Sequence, residues 1–484
     1  MMRSLFSGVS GLKNHQTRMD VIGNNISNVN TTGFKSSRVN FTDMLAQNLS
    51  GASSPNDNIG GTNPKQIGLG SAVGAVDLLF TNGSVQSTGV NTDLALSSSN
   101  ALFILNTGSG TAYTRNGDFQ FDADGNYVQA GNGYYVQGWM ANNGAIDTGA
   151  QVTNITIPSG KTMAPAASAK ATYTNNLNAE VPTITQISFT TFDGTTTSTT
   201  TLPNKGDTLP AAIDPSATDG TTPTSATLTL SDGSTMTLTS GLYTVGHSTP
   251  IVTTLSVYDS LGSVHDIAMY FTLTDAEQDT WQVSLATDGT TTQDIEEPDG
   301  SITTVAMANV PLIFDTNGTF KSGSGTATLT LTNGATTGQT VQVDFSNLTQ
   351  YSSSTTIAGK ADGNAAGVLS SISIDKTGTI TGTYTNGMKQ TEAQVALQRF
   401  TNPGGLNKVG ESLYEDSNNA GKSGEPSTAS ALGATITPSA LEMSNVDVAN
   451  EFTDMIITQR GFQTNSKIIT VSDEMLETIV NMKR

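Results

Sequence analysis

The feature that most constrains this fold is a pair of apolar stripes with helical spacing, one at each end of the chain. The front stripe steps by threes and fours and contains Leu5, Val9, Leu12, Met19, Ile22, Ile26 and Val29. The back stripe has the same spacing and contains Val448, Phe452, Met455, Phe462, Ile469, Leu476 and Val480. Such narrow stripes are typical of a coiled-coil seam. We therefore predict helices at residues 1–30 and 446–484 that pair into a terminal helical domain, with these side chains as its assembly interface.

The two predicted helices are expected to need neighbours. A short isolated helix is marginal in water even when its sequence favours helix. The ends are also opposite in charge: residues 1–38 hold five basic residues against one acidic residue, and residues 441–484 hold seven acidic residues against four basic ones. We expect both ends to order when copies of the chain assemble. The alternative is that both are ordinary amphipathic helices packed on a globular core.

The stretch "VIGNNISNVNTTGFK", residues 21–35, carries the front stripe through residues that disfavour helix. Three of its four asparagines, Asn24, Asn25 and Asn28, are expected to hydrogen-bond within a crowded, largely polar helix array. Gly33 suits a left-handed helix cap, Phe34 is expected to anchor the chain as it turns outward, and Lys35 to remain near solvent. We interpret this stretch as a joint between the helices and the body, the alternative being an ordinary solvated helix end.

The middle of the chain has the pattern of β-strands. "TLTLSDGSTMTL", 227–238, alternates around Asp232-Gly233, and "SISIDKTGTITGTYTNG", 371–387, alternates in the same way. Asn-Gly and Asp-Gly pairs favour tight hairpins. We predict a mainly β, multi-domain fold with sandwich- or barrel-like outer domains, and with the paired terminal helices as a coiled-coil-like inner domain.

Changes in composition suggest domain boundaries. Residues 31–70 are rich in Gly, Asn and Pro and are predicted to be an extended linker. Residues 181–248 are rich in Thr and are predicted to be an inserted outer β domain, with a mobile surface loop as the alternative. The remaining segments are assigned to a first β domain, 71–145 with 365–440, and to a second β domain, 146–180 with 249–364.

Composition excludes several classes of site and partner. The chain has 484 residues, no cysteine and a formal net charge of −20, so disulfides and thiolate metal sites are excluded. An acidic body argues against a nucleic-acid partner. The longest apolar run near the front, 101–105, is far too short to span a bilayer. The N-terminus has no continuous apolar segment, so we expect no Sec-type signal peptide.

No pattern of catalytic or metal-binding residues stands out. The three histidines, His15, His247 and His265, are isolated and have no metal-ligand spacing. His15 falls beside the front stripe, where a surface or interface role is expected. "DADGN", 122–126, departs from a calcium loop and is interpreted as a hairpin turn. We therefore predict no enzyme activity, catalytic residue, metal or cofactor.

Several segments resemble the rod and hook family of bacterial flagellar axial proteins. The resemblance is carried at the front by "LFSGVSGLKNHQTRMDVIGNNISNVNTTGFK", 5–35, and at the back by residues 440–484. "SVQSTGVNTDLAL", 84–96, and residues 113–139 are similar to the first β domain of that family. "LSVYDSLGSVHDIAMYF", 255–271, and "VDFSNLTQYSS", 343–353, are similar to its hook members.

The resemblance implies a structural polymer. Members of the family leave the cell through the flagellar type III export apparatus without a cleaved Sec signal, and assemble into a hollow tube outside it. Their terminal helices line the channel, and their β domains form the outer layers. A hook member implies a flexible universal joint that transmits torque from rod to filament. Its implied partners are copies of itself, the distal rod protein, the hook cap and the hook–filament junction proteins.

Three alternatives remain at this point. A distal rod or hook–filament junction protein would share the terminal motifs, although the length of this chain favours the hook. A secreted β-rich adhesin or surface-layer protein would explain the Thr- and Gly-rich middle but neither terminal stripe. A carbohydrate-active enzyme rests only on β content and acidity. Residues 181–248 match no pattern of the family, and 140–365 is larger than in compact hook members.

Overall fold

The computed structural model describes residues 2–55, 59–288, 290–298 and 300–482. The chain forms two compact units. The first unit runs to Lys161 and resumes at Leu369, and the second is Thr162–Val368. The fold is mainly β, with one long helix at each end of the chain.

The terminal helices are α1, Met2–Ser27, and α2, Val448–Asn481. They lie antiparallel, since Gly8 faces Ile469 while Arg18 faces Asp454. The side chain of Asp447 caps α2 by accepting hydrogen bonds from the first backbone N–H groups of the helix. The predicted helix at 446–484 is therefore observed over 448–481, and Lys483 and Arg484 lie outside the described residues.

Helix α1 ends three residues before the predicted boundary. The amide Nδ2 of Asn28 donates to the carbonyl of Asn24, 2.9 Å away, and the hydroxyl of Ser27 donates to the carbonyl of Gly23. Side chains that bond to nearby carbonyls in this way compete with continuation of the helix. Val29, predicted as the last member of the front stripe, consequently lies in the turn after the helix.

The first part of the first unit contains thirteen short strands. In chain order they are β1 (Ser37–Asp43), β2 (Ala46–Ser50), β3 (Lys65–Gly68), β4 (Ser71–Leu78), β5 (Val85–Ser87), β6 (Leu94–Leu96), β7 (Ala101–Asn106), β8 (Thr111–Thr114), β9 (Phe119–Phe121), β10 (Tyr127–Gln129), β11 (Tyr135–Asn142), β12 (Ala145–Ile146) and β13 (Thr153–Asn154).

The segment predicted as a linker or extended segment, 31–70, contains the three paired strands β1, β2 and β3. Strand β1 pairs antiparallel with β4, from Ser37 opposite Leu78 to Asp43 opposite Ser71. Farther out, β2 pairs antiparallel with β3. Val39 and Phe41 supply alternating strand formers in β1. Pairing satisfies backbone groups that a lone extended segment would leave to water.

The second unit contains β14 to β29. They are β14 (Thr162–Met163), β15 (Lys170–Asn178), β16 (Ile184–Phe192), β17 (Thr197–Leu202), β18 (Pro223–Leu230), β19 (Thr235–Leu238), β20 (Ile251–Tyr258), β21 (Val264–Asp275), β22 (Thr280–Ser284), β23 (Thr292–Glu296), β24 (Ile302–Ala306), β25 (Val310–Phe314), β26 (Phe320–Ser322), β27 (Ser324–Thr330), β28 (Gln339–Tyr351) and β29 (Ala358–Ala361).

Among the described residues, strands β15 to β29 of the second unit form three sheets. A six-stranded sheet, in the order β23-β24-β27-β28-β15-β29, and a five-stranded sheet, β20-β21-β22-β25-β26, share one core that contains Trp281, Phe271 and Phe345. The segment predicted as an insertion, 181–248, has a four-stranded sheet of its own, β17-β16-β18-β19. That sheet has a separate core around Ile187 and Leu228.

The chain returns to the first unit at Leu369, within the first of the eight strands β30 to β37. They are β30 (Gly367–Ile374), β31 (Thr379–Tyr384), β32 (Lys389–Val395), β33 (Leu397–Arg399), β34 (Asn407–Gly410), β35 (Leu413–Glu415), β36 (Ile436–Pro438) and β37 (Ala440–Glu442), with a 3-10 turn at Pro403–Gly405. Strands β30-β31-β32-β11-β7-β8-β35-β34 form one path of a large sheet. The pairs β5–β37 and β6–β36 join the two halves of the unit.

Two predicted domain boundaries differ from the structure. Residues 146–161, assigned to the second β domain, belong to the first unit, because Ile155 and Ile157 are buried in its core beside Tyr127. Residues 365–368, assigned to the first β domain, belong to the second unit, where Ala365 packs against Gly262.

Candidate assembly interface and joint

The seam between α1 and α2 is built from small and polar residues. A Cβ added to Gly461 would lie 2.6 Å from the ring of His15, and one added to Gly11 would lie 2.6 Å from the amide of Asn465. The buried residues of α2 are Thr458 and Ser472. Glycine lets two backbones approach closely because it has no Cβ. The two helices therefore approach each other closely at Gly11 and Gly461.

Polar contacts fix the register of the two helices near the body. Arg18 forms an ion pair with Asp454, 3.1 Å away, and Nδ2 of Asn25 donates to Oε1 of Glu451 at 2.9 Å. Burial raises the pKa of Glu451, and the hydrogen bond from Asn25 opposes that shift. His15 lies in the seam with its ring edge-on to Phe41, at 5.9 Å between centroids.

Most of the predicted front stripe lies beside the seam rather than in it. Ile22 is the one predicted member that is fully buried among the described residues. Leu5, Leu12, Met19 and Ile26 are half-buried. Val9 remains 50% exposed, and its neighbour Phe6 is 66% exposed. The single chain thus leaves part of the front apolar stripe without a covering partner.

The predicted back stripe divides between two faces of α2. Met455, Ile469 and Leu476 are half-buried on the side of α1. The other members remain exposed and are Val448, Phe452, Phe462 and Val480. A further exposed row with helical spacing contains Ile468, Val471, Met475 and Ile479. Folded proteins seldom expose long apolar rows that have no binding role, so this face is a candidate interaction surface.

Among the three predicted joint asparagines, Asn25 alone is buried. Its Nδ2 donates to the carbonyl of Ser37 at 2.8 Å, and its Oδ1 accepts from the N–H of Ser37 at 3.0 Å. One side chain therefore ties the last turn of α1 to the first residue of β1. Asn24 is exposed, and Asn28 bonds within the turn, where Thr31 donates to its Oδ1.

Gly33 has the predicted left-handed conformation, with φ of +66°, but it lies six residues beyond the helix end and does not cap α1. Its N–H donates to the carbonyl of Glu442 at 2.8 Å. A Cβ here would lie 2.5 Å from the backbone nitrogen of Asn116. Phe34, predicted to anchor the chain, is buried, and Nζ of Lys408 lies 3.9 Å from the centre of its ring.

The expectation that Lys35 lies near solvent is wrong, because its side chain is fully buried. Its Nζ donates to Oε1 of Glu442 at 2.8 Å and to the carbonyl of Thr81 at 2.7 Å. Nε of Arg115 donates to Oε2 of the same carboxylate at 2.8 Å, and its Nη1 donates to the carbonyl of Ala101. Burial lowers the pKa of both Lys35 and Arg115, and the charge of Glu442 opposes each shift.

This buried cluster, which we name the root network, consists of Lys35, Arg115 and Glu442. Lys35 follows α1, Glu442 precedes α2, and Arg115 belongs to the β body. The network therefore fastens the roots of both helices to the sheets between them. Sequence reasoning missed it because the three residues are far apart in the chain. The one sequence signal was a lone charge within an otherwise uncharged segment, as in "AYTRNG", 112–117.

A second buried polar cluster lies in the second unit. Nδ1 of His265 is 2.6 Å from Oε1 of Glu297, and its Nε2 is 3.2 Å from Oδ2 of Asp259. Burial raises the pKa of Asp259, but hydrogen bonds from Asn333 and from the Ser263 N–H outweigh it and hold the pKa below its usual value. The two carboxylates lie on different nitrogens of the ring, so the groups do not converge on one point.

The described residues include no group of three or more His, Cys, Asp or Glu residues arranged to hold a metal ion. Neither of the helices, over the parts that the structure describes, is both long enough and apolar enough to cross a membrane.

Comparison with family models gives four matches along the chain. Residues 5–35 match the flagella basal body rod protein family, and residues 437–482 match the flagellar basal body rod FlgEFG protein C-terminal family. Residues 99–172 match the flagellar hook protein FlgE/F/G D1 domain, and residues 244–364 match the flagellar basal body protein FlaE D2 domain.

Whole-chain relatives are flagellar hook proteins FlgE. The protein from Treponema pallidum is 37% identical, and the one from Borreliella burgdorferi is 35% identical, and in both cases the match covers 100% of each chain. The protein from Salmonella typhimurium is 29% identical over 99% of this chain and 100% of its own. The similarity therefore extends through the outer β segments as well as the two ends.

Proposed function

Because this chain belongs to the flagellar hook protein FlgE family, we propose that it is the subunit of a hollow, flexible tube that acts as a universal joint and transmits torque from rod to filament. The protein has a structural role, and the proposal includes no enzyme activity. Relatives that match over the whole chain carry the hook name, which favours the hook over a distal rod or hook–filament junction position.

The observation that carries the proposal is the contrast between the seam and the outer faces of the helix pair. The seam includes Gly11, Gly461 and the buried Thr458 and Ser472, while Phe452, Ile456 and Ile457 are 49–59% exposed. Burying apolar surface contributes roughly 25 cal/mol per Å². Neighbouring copies would gain that contribution by packing these faces together. The inner layer of the tube would form in this way.

Torque transmission is proposed to pass through the joint. The root network and Asn25 connect both helices to the β body by hydrogen bonds at 2.7–3.0 Å, and their side chains are buried. Buried, fully bonded polar groups hold one geometry because each alternative leaves a group unpaired. The helices would therefore turn with the body of their own subunit.

The wider assembly is proposed from family membership. The tube would lie outside the cell, exported through the flagellar type III apparatus without a cleaved Sec signal. It would meet the distal rod protein at its base, the hook cap during growth and the hook–filament junction proteins at its tip. The net charge of −20 supports the proposal that no nucleic acid is a partner.

Point variants on the exposed face of α2 test the assembly interface. Met475 and Ile479 are each 48% exposed, so replacing both with serine removes little packing within the monomer. We expect the purified double variant to keep the circular dichroism spectrum of the wild type but to form no tubes in electron micrographs. A matched control replaces exposed Val252 and Val264 of the second unit with serine and should form tubes. Normal tubes from the helix variant would refute this interface.

The position in the flagellum needs a separate experiment. Immunogold labelling of isolated flagella with an antibody to the second unit should mark the hook segment. Labelling confined to the rod or to the hook–filament junction would favour the alternative positions.

A further inference from the structure

The inserted sheet at 181–248 has two open edges. Its strand order is β17-β16-β18-β19, so β17 and β19 are the outermost strands. In the described part of the chain, no other strand pairs with the free side of either one. An open edge presents unpaired N–H and C=O groups and is a template for pairing with another chain.

These edge strands lack the charged side chains, prolines and bulges that often protect an open edge. Strand β17 reads Thr-Ser-Thr-Thr-Thr-Leu and β19 reads Thr-Met-Thr-Leu, without a charge or a proline. Each pairs with its inner neighbour in continuous register, without a bulge. Natural proteins block exposed edges with lysine, proline, bulges or a covering segment. The edges here are left open for pairing.

The strand directions allow identical sheets to join side by side. Strand β16 is antiparallel to both β17 and β18, and β18 is antiparallel to β19. The two edge strands therefore run in opposite directions. When a second copy is translated by the width of the sheet, its β19 lies antiparallel to β17 of the first copy. This arrangement extends one antiparallel sheet across both molecules.

We propose that β17 of one copy pairs with β19 of a neighbouring copy in the assembled tube, an inference that rests on the proposed hook function. The contact joins two different edges, as an open helical polymer requires, whereas self-pairing of β17 would close a dimer. The acidic turns at Asp193 and Asp232 lie at opposite ends of the sheet, so the proposed contact keeps them apart.

The edge strands are nearly uniform in sequence, so β17 and β19 can pair in several equivalent strand registers. Residues 197–201 and 235–237 are exposed on both faces of the sheet, and all but one are Thr or Ser. Register is weakly specified where both faces of a strand are polar, since no buried side chain is moved by a slip. A slip of two residues moves the neighbours by about 7 Å and restores the same faces. Neighbouring subunits can therefore slide while the tube bends and still remain paired.

Cysteine pairs can test the contact, because the natural chain has no cysteine. Thr199 and Thr237 lie on opposite edges of one sheet, three strand spacings or about 14 Å apart, too far for a disulfide within one chain. Oxidised tubes of T199C/T237C should give a ladder of linked chains on a non-reducing gel. Tubes of T199C alone and of T237C alone should not.

A matched control moves one cysteine inward by a single strand. Thr227 lies opposite Thr237 on β18, and its Oγ1 is 3.1 Å from that of Thr237. Tubes of T199C/T227C should remain unlinked, because the second cysteine is one strand farther from the edge. To test sliding, T197C/T237C and T201C/T237C should also form ladders, since their side chains share a face with position 199.

The outcomes separate this inference from the function on which it rests. Intact tubes of T199C/T237C without a ladder would overturn the edge contact alone. A disulfide-linked dimer of T199C alone would overturn the proposal and would indicate that two β17 edges pair with each other. If only one of T197C, T199C and T201C forms a ladder together with T237C, the proposal that the registers slide would be overturned. Failure of the unsubstituted protein to form any tube would overturn the hook function, and this inference with it.

Discussion

Nζ of Lys35 lies 2.8 Å from Oε1 of Glu442, and neither side chain is exposed, although 407 positions separate the two residues in the chain. One residue follows α1 and the other precedes α2, so this ion pair joins the roots of both terminal helices. Arg115 binds the other oxygen of the same carboxylate. Two buried cations thus depend on a single anion for compensation.

Replacement of Glu442 by glutamine is expected to destabilise the first unit by about 3–5 kcal/mol, because it leaves Lys35 and Arg115 buried without a counter-charge. The measurement is urea unfolding of the full-length monomer followed by fluorescence of Trp139, which lies in that unit. Glu425→Gln, at an exposed position, is the matched control and should leave the unfolding midpoint unchanged. Equal midpoints for the two variants would contradict a structural role for the network.

The root network also shows which structural features could not be predicted from the sequence. Helical periodicity predicted α1 and α2 because it records which side chains share a face. It said nothing about Lys35, whose burial depends on Glu442 and Arg115 in distant segments. The end of α1 was placed too late for a related reason. Asn28 folds back onto Asn24, a side-chain hydrogen bond that the apolar spacing does not report.

Local signals were more informative in the β segments. The hairpin predicted around Asp232-Gly233 is confirmed by the pairing of β18 with β19. The turn predicted at 122–126 is confirmed, since Phe121 lies opposite Tyr127. Both depend on a few adjacent residues. The pairing of β1 with β4 was missed because its partners are separated by the Gly-rich segment that was interpreted as a linker.

The close approach of α1 and α2 predicts a marked effect of Gly461→Ala. The new Cβ would lie 2.6 Å from the His15 ring, so the ring or the helices must shift, at an expected cost of roughly 1–3 kcal/mol in the free energy of unfolding. We expect loss of tubes in electron micrographs of the purified variant. Gly23→Ala is the control, since a Cβ at Gly23 meets no atom within 4 Å and alanine favours helix by about 1 kcal/mol. Gly23→Ala should form tubes as the wild type does.

The helix pair is expected to loosen as the pH falls. Burial, and secondarily the charge of Arg18, holds the pKa of His15 below its ordinary value of 6.5. The unfolded chain therefore binds more protons as the pH falls through 6.5 towards the folded-state pKa, and stability is lost over that range. Trypsin cleavage within α1 should become faster at pH 5.5 relative to pH 7.5, after correction for protease activity on an unfolded peptide.

His15→Gln isolates this effect, because glutamine does not titrate. The corrected cleavage rate of the variant should be nearly the same at the two pH values. If wild type and variant respond equally to acid, a group other than His15 controls the helix pair.

Gly33→Ala should destabilise the joint by a steric clash in addition to backbone strain. Position 33 has φ of +66°, which costs an alanine about 1–2 kcal/mol, and its Cβ would lie 2.5 Å from the backbone nitrogen of Asn116, which cannot rotate away. Gly89 is a matched control, since it has φ of +74° but open space where a Cβ would lie. Both variants share the backbone strain, so the difference between their urea midpoints reports the clash at the joint. We expect Gly33→Ala to unfold at a clearly lower urea concentration than Gly89→Ala, and coincident midpoints would show that the joint backbone can move aside.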